Sequence, residues 1–170
     1  FFGGNAFAGA IFIESKKPEQ SGLNGQLAVG SFNTTYAALQ YNLVKKNHYH
    51  SFSGTFINSN GYRTNTDQRS YQYNQEHHVL FGKDRTWDGY ASFAFNSRAY
   101  GANGFYSLRF PNQYEEIQSY FYHAGVKNKN LKVDAYWNQV DDYYILKREN
   151  PAFYRNLHYT DTRGVMATYK

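Results

Sequence analysis

The feature that most constrains this chain is an alternation of apolar and polar residues, repeated in segments of about ten residues. The segment TYAALQYNLV sets one alternate series against another, Ala37, Leu39, Tyr41 and Leu43 against Tyr36, Ala38, Gln40 and Asn42. HSFSGTFIN, TWDGYASFAFNS and LKVDAYWN alternate in the same way, and no segment has a sustained helical period. Because successive side chains of a strand point to opposite faces, the sequence predicts an all-β, antiparallel chain.

The connections between these segments alternate between short and long. The joints at 45–48, 82–85 and 127–130 are short and rich in the residues that tight hairpins use, whereas 59–68, 97–113 and 141–162 are long. The joint at 31–35 is the exception, because it is short but lies among the long ones. Alternate connections of an up-and-down sheet share a rim, so one rim is predicted to carry tight turns and the other long loops. This asymmetry is typical of outer-membrane barrels.

Aromatic residues supply most of the apolar surface, with 18 Tyr and 14 Phe. Phe81 and Trp87 flank a short turn, and Tyr71 and Trp137 are predicted to lie near opposite ends of their strands. Outer-membrane barrels carry such aromatic girdles at both membrane interfaces.

One segment, YQYNQEHHVLFG, does not fit a lipid-facing strand. It places Gln75 and His77 on the same face as Tyr73 and Val79. Either a β-bulge shifts the register here, or this strand faces something other than lipid. A soluble β-sandwich would tolerate these polar groups more easily.

Charge and residue spacing weigh against several functions. The net charge of +5 comes from cations spread along the chain, so we predict no nucleic-acid partner. The consecutive pairs Glu115-Glu116 and His77-His78 would point to opposite faces of a strand, which disfavours paired acid catalysis or chelation. The chain has no Cys. We predict neither an enzyme nor a cofactor.

The first eighteen residues, FFGGNAFAGAIFIESKKP, resemble the end of the plug domain of TonB-dependent outer-membrane receptors. The matching positions are Phe2, Gly3, Ala6, Gly9, Ala10, Ile11, Ile13, Ser15, Lys16 and Lys17. Phe12 stands where the family more often has Asn, and Phe2 where Tyr is usual. GSFNTTYAALQY resembles the first extracellular turn and second strand of the family, and the long loops resemble those of Bacteroidetes-type receptors.

This resemblance implies a transmembrane β-barrel of about 22 strands closed around a plug. Residues 1–20 would end the plug, and 21–170 would form about eight N-terminal strands of the barrel. The implied protein lies in the bacterial outer membrane and contacts its lipid. It couples to the TonB complex through a segment upstream, and a surface lipoprotein is a possible further partner. It imports a scarce large solute such as a siderophore, cobalamin or an oligosaccharide. The alternative is a passive pore, or a structural or adhesive β-protein, without TonB coupling.

Long-loop residues are the candidate contacts to that solute. Their rings would offer flat apolar area and their guanidinium groups would meet anions; they are Arg98, Tyr100, Phe105, Tyr106, Arg109, Phe110, Tyr143, Tyr144 and Arg155. The alternative is that the aromatic side chains pack the loops against their neighbours. Asp141 and Asp142 are a calcium candidate through their hard oxygen ligands; the alternative is a solvated loop, to which adjacent carboxylates without further ligands usually belong.

Overall fold

The computed structural model describes residues 17–170, which form one antiparallel sheet. Its strands are β1 (Gly22–Gly30), β2 (Thr34–Lys45), β3 (His48–Ser59), β4 (Gln68–Phe81), β5 (Trp87–Gly101), β6 (Tyr114–Lys127), β7 (Leu131–Ile145) and β8 (Arg155–Tyr169). A short 3-10 turn occupies Lys83–Arg85. The plug-like positions Phe2, Gly3, Ala6, Gly9, Ile11, Ile13 and Lys16 lie outside the described residues.

Each strand pairs with the next one along the chain, in the order β1 to β8. The sheet is open, because within residues 17–170 the outer edges of β1 and β8 have no neighbouring strand. The prediction of an all-β, antiparallel, up-and-down fold with about eight strands is confirmed, and the open sheet is consistent with part of a barrel.

The connections divide into two rims. The short-turn rim carries the connections 46–47, 82–86 and 128–130, and the long-loop rim carries 31–33, 60–67, 102–113 and 146–154. The predicted asymmetry is therefore present, including the short exception at the start of the long-loop rim.

Two of the long loops are shorter than the sequence pattern predicts. β5 continues to Gly101, and β7 continues to Ile145 before β8 begins at Arg155. The polar, tyrosine-rich end of β7 stays in the sheet because it pairs with β8 along its whole length, which satisfies its backbone groups. The prediction that Trp137 lies near a strand end is wrong, because that residue is near the middle of the longer β7.

The two faces of the sheet differ in chemistry. The aromatic face carries large apolar side chains, among them Leu39, Phe56, Phe93, Tyr122 and Trp137. The polar face carries mainly amides and hydroxyls, among them Gln40, Ser53, Asn74, Asn96 and Asn138.

Neither face is covered by a second layer of residues 17–170. In that part of the chain, the buried apolar side chains are Tyr49, Ala102 and Ile145. Leu27 and Val29 are more than four-fifths exposed, at 84% and 87%. A sheet hides an apolar face only when something packs on it, and an apolar surface of this extent is typical of a surface that contacts a partner or a membrane.

Aromatic rings follow one another across the aromatic face. Phe93 and Tyr122 have centroids 4.8 Å apart, and Tyr122 stacks on Trp137 at 5.2 Å. At the short-turn rim, Phe81 stacks on Trp87 at 6.3 Å across the turn that joins β4 to β5. Such cross-strand pairs stabilise a sheet.

The anomalous segment in β4 contains no bulge. β4 pairs residue for residue with β3 and β5 through the region of Gln75 and His77. The polar groups are therefore on the aromatic face, where they meet one another: Nδ1 of His77 lies 2.6 Å from Nδ1 of His50, and Tyr73 donates to Gln75 Oε1 at 2.8 Å. Local pairing lowers the cost of placing polar groups on an apolar face.

Near the short-turn rim the polar face holds two buried carboxylates. Asp88 accepts a hydrogen bond from Lys17 Nζ at 2.7 Å and lies 2.8 Å from His78 Nδ1. Asp134 accepts a hydrogen bond from the Tyr90 hydroxyl at 2.6 Å. The hydrogen bond between Lys17 and Asp88 attaches the residues just before β1 to strand β5, on the polar side of the sheet.

Candidate functional site

Three loops of the long-loop rim form one connected surface, called here the loop platform (60–67, 102–113 and 146–154). Asn65 of the first loop donates through Nδ2 to the backbone oxygens of Pro111 and Gln113 in the second, at 3.0 and 2.6 Å. Asn103 donates back to the Thr64 carbonyl at 2.6 Å. Because a side chain of each loop donates to the backbone of the other, the two loops form a more defined surface than separate mobile loops would.

Gln113 holds the second loop in its folded shape. Its side chain is fully buried and donates from Nε2 to the carbonyls of Ser107 and Phe110, at 3.0 and 2.8 Å. Its Oε1 accepts from the Tyr106 backbone amide at 3.3 Å. One amide therefore satisfies three backbone groups that a loop without secondary structure would otherwise leave to water.

An ion pair joins the first loop to the third. Arg148 donates to both carboxylate oxygens of Asp67, at 2.6 and 2.9 Å, and its guanidinium lies over the Tyr114 ring at 4.4 Å. The hydrogen bonds from Arg148 hold the pKa of Asp67 below its usual range, and Asp67 in turn raises the pKa of Arg148. A bidentate geometry of this kind fixes the relative position of the two loops.

Large apolar side chains project from the platform into solvent. Phe105 is 75% exposed and Leu108 is 89% exposed. Further exposed rings on the platform belong to Tyr62, Tyr106, Phe153 and Tyr154. Their flat surfaces are open for contact, as the sequence predicts for this rim.

Cations lie over several of these rings. The Lys147 ammonium lies 3.8 Å from the centroid of Phe153, and the Arg109 guanidinium lies 5.7 Å from that of Phe110. Aromatic rings and cations thus lie side by side on the platform, and their contact with a solute stays a prediction. Where a cation of this chain lies over a ring, as Lys147 does over Phe153, that face of the ring is already occupied.

The predicted contact residues fall into two groups. Phe105, Tyr106, Arg109 and Phe110 lie on the platform, as expected. The others were expected in loops but lie in strands, in β5 (Arg98, Tyr100), β7 (Tyr143, Tyr144) and at the first position of β8 (Arg155). The register puts Arg98, Tyr100 and Tyr144 on the polar face, and Tyr143 and Arg155 on the aromatic face.

A cluster beneath the platform joins both groups on the polar face. The hydroxyls of Tyr100 and Tyr106 both donate to Oε2 of Glu115, at 2.5 and 2.8 Å, and Glu115 is buried. The Tyr106 ring meets that of Tyr144 edge-on at 5.1 Å. Burial, with the contact to Glu115, raises the pKa of Tyr106 to about 12. Tyr106 is therefore anchored to the sheet by its hydroxyl while part of its ring stays exposed.

The paired acids and histidines do not converge on common points. Asp141 contacts Gln139 and Asp142 faces His158, so the two carboxylates of the calcium candidate lie on opposite faces of β7. The same separation applies to Glu115-Glu116 and to His77-His78. Among residues 17–170 no group of three metal-ligating side chains is arranged to hold an ion.

Four residues that organise the platform escape sequence reasoning: Asn65, Asp67, Gln113 and Arg148. All are polar residues within loops or at their junctions with strands, where such residues are common. For Asn65, Asp67 and Arg148 the spacing carries no signal, because their partners lie tens of positions away in sequence. The partners of Gln113 lie three to seven positions before it, but they are backbone groups, which any residue supplies.

No protein-family model, curated protein or solved structure matches this chain. No helix in the described part of the chain is both long and apolar enough to span a membrane.

Proposed function

We propose that this chain is part of a TonB-dependent outer-membrane receptor that binds a scarce large solute on the loop platform and imports it. The supporting observation is the two-faced open sheet, with an aromatic face that no other part of residues 17–170 covers and with long loops confined to one rim. Strands β4 to β8 have 14 or 15 residues each. A membrane β-strand needs about 9 to 11 residues, so these strands are long enough to cross with residues to spare.

The two faces suit the two environments of such a barrel. The aromatic face would contact lipid, and the amides and hydroxyls of the polar face would line the lumen around the plug. Lys17, the last matching position of the plug-like segment, is bound to Asp88 of β5 and would connect the plug to the barrel. The resemblance of residues 1–18 supports this orientation.

The platform suits the capture of a solute in the siderophore or cobalamin class. Exposed rings offer contact area at low entropic cost, and the cations beside them favour anionic or metal-chelating groups. No covalent chemistry is required.

A passive or adhesive β-protein is the second candidate. It is favoured by the polar groups of the aromatic face, where Arg163 and Asp161 form an ion pair at 2.8 Å and Nδ1 of His50 meets Nδ1 of His77. Polar groups are costly in contact with lipid, so their presence on this face favours a protein that does not span a membrane. Their pairing lowers that cost, which keeps the receptor as the first candidate.

The test is uptake by cells with and without TonB. A strain that expresses the full-length protein is fractionated, and its accumulation of labelled ferric siderophores and cobalamin is compared with that of a tonB deletion. The proposal expects the protein in the outer-membrane fraction and uptake of one solute that needs TonB. Uptake that is independent of TonB would favour the passive pore, and a protein absent from the outer membrane would exclude both barrel readings.

A further inference from the structure

We infer that the short-turn rim is a docking surface for the anionic headgroups of a phospholipid leaflet. The inference rests on the proposed membrane-spanning sheet and specifies the headgroup chemistry that one rim of it binds. It is carried by the distribution of charge between the two rims.

Exposed cations are concentrated at the short-turn rim. Six lie in its turns or at the adjoining strand ends: Lys45, Lys46, Lys83, Arg85, Lys129 and Lys170. None of them forms an ion pair within residues 17–170. Arg85 contributes one structural contact, donating to the Lys46 carbonyl at 2.9 Å, which joins two neighbouring turns.

The carboxylates near this rim do not neutralise these cations. Asp88 and Asp134 are buried on the polar face, and their ion pairs are with other residues. Glu19 lies over the polar face beside Gln40 and Ser51. Asp84 is the exposed carboxylate of the turns themselves. The rim therefore presents a positive surface to whatever lies beside it.

The long-loop rim differs in both balance and residue type. It combines cations with a similar number of carboxylates, among them Asp67, Glu115, Glu116, Asp142 and Glu149. Its cations are mostly Arg, including Arg63, Arg69, Arg98 and Arg109, whereas those of the short-turn rim are mostly Lys. The Lys ammonium attracts phosphate as a compact point charge on a flexible stem, whereas the Arg guanidinium binds carboxylate and phosphate through a rigid planar fork.

Aromatic side chains lie next to the basic rim on the aromatic face. Phe81 stacks on Trp87 at the β4–β5 turn, and Phe81 and Tyr169 are exposed. Rings at this level are typical of the boundary between hydrocarbon and headgroups. A partner must therefore be apolar along the strands and anionic at their ends, which describes a phospholipid leaflet. A nucleic acid would instead need cations interleaved with stacking rings on one groove.

The experiment measures lipid retention by the full-length protein. The protein is purified from mixed micelles of phosphatidylglycerol and phosphatidylcholine, and the bound lipids are counted by native mass spectrometry. The rim variant is Lys46→Gln with Lys129→Gln. The matched control is Arg63→Gln with Arg69→Gln, which removes two exposed cations from the opposite rim.

The rim variant is expected to lower the retained ratio of phosphatidylglycerol to phosphatidylcholine about tenfold, since each cation near an anionic surface contributes to attraction. The control variant is expected to stay within about twofold of wild type. Raising the salt concentration should release phosphatidylglycerol from wild type, a measurement that stands even where the rim variant fails to fold.

The inference is overturned if both variants lose phosphatidylglycerol equally, or if the folded rim variant retains as much of it as wild type. It is also overturned if salt does not change the retention by wild type. Displacement of the lipid by a single-stranded oligonucleotide would overturn it too. Failure of the proposed barrel is recognised separately, because wild type would then fail to gain protease protection in purely zwitterionic bilayers.

Discussion

Arg148 donates two hydrogen bonds, of 2.6 and 2.9 Å, to Asp67, which lies 81 positions earlier in the sequence. The contact joins the loop after β3 to the loop after β7, with the loop of β5 and β6 held between them through Asn65. This ion pair therefore joins two segments of the loop platform that are remote in the chain, beside the backbone bond from the Arg148 amide to the Asn112 carbonyl at 2.8 Å.

Arg148→Ala is expected to separate the first and third loops while leaving the sheet intact. Both partners are more than a third exposed, so the loss in unfolding free energy is at most about 1 kcal/mol. Because the chain has no native Cys, spin labels on Tyr62→Cys and Glu149→Cys report the distance between the loops. A broader, longer distribution is expected in the variant; an unchanged distribution would show that the remaining contacts, including the bond from the residue 148 amide to the Asn112 carbonyl, hold the platform without the ion pair.

The same labels should report a dependence on pH. The pKa of Asp67 is lower in the folded protein than in the unfolded chain, mainly through its hydrogen bonds from Arg148. The ion pair is therefore fully present above the usual Asp pKa and is lost as the pH falls through the lowered value. The distance distribution should broaden in acid in wild type, but not in Asp67→Asn, where it is already broad at neutral pH.

Gln113→Leu is expected to unfold the second loop. The substitution keeps a side chain of similar size but leaves two backbone carbonyls and one backbone amide without a partner. Each such group that is buried lowers the unfolding free energy by about 1–3 kcal/mol. Urea unfolding in lipid vesicles and proteolysis within 102–113 give the measurement. Gln72→Leu, at an exposed position of β4, is the matched control and should behave as wild type.

The sheet could be predicted from the sequence because its signal is local. Alternation such as that of 35–44 assigns each strand, and turns such as 127–130 need particular residues at particular positions. The strand ends at 141–145 and 155–162 could not be predicted, because residues that resemble a loop are held there by pairing between β7 and β8.

The platform was predictable only in outline. Aromatic content predicts that 97–113 contacts a solute or packs against its neighbours, and the structure shows that Phe105 and Tyr106 are exposed there. The residues that shape it, Gln113 and Arg148, act through backbone carbonyls and a remote carboxylate. Neither partner leaves a pattern in the sequence, so only the folded geometry reveals them.

Gly125→Ala is expected to strain the polar face near the short-turn rim. An added Cβ would lie 2.6 Å from the ring and hydroxyl of Tyr90 and 2.5 Å from the Val133 carbonyl. Overpacking of this kind costs about 1–3 kcal/mol. Gly54→Ala is the control, since its Cβ would meet only the Gln72 carbonyl, at 3.8 Å. Adding Tyr90→Ala to the Gly125 variant should recover part of the loss if the ring causes it; no recovery would assign the strain to the backbone contact alone.

Tyr106 and Arg109 test whether the platform contacts a solute or only packs against itself. Tyr106→Phe keeps the ring but removes the hydroxyl that donates to Glu115 at 2.8 Å, whereas Tyr106→Ala removes both. If the ring contacts solute, the affinity should fall about tenfold or more in Tyr106→Ala and Arg109→Ala but little in Tyr106→Phe. Affinity is measured by titration of the full-length protein in detergent with the solute that the uptake assay identifies. Unchanged affinity in both Ala variants, with normal surface expression, would show that these side chains only pack the loop.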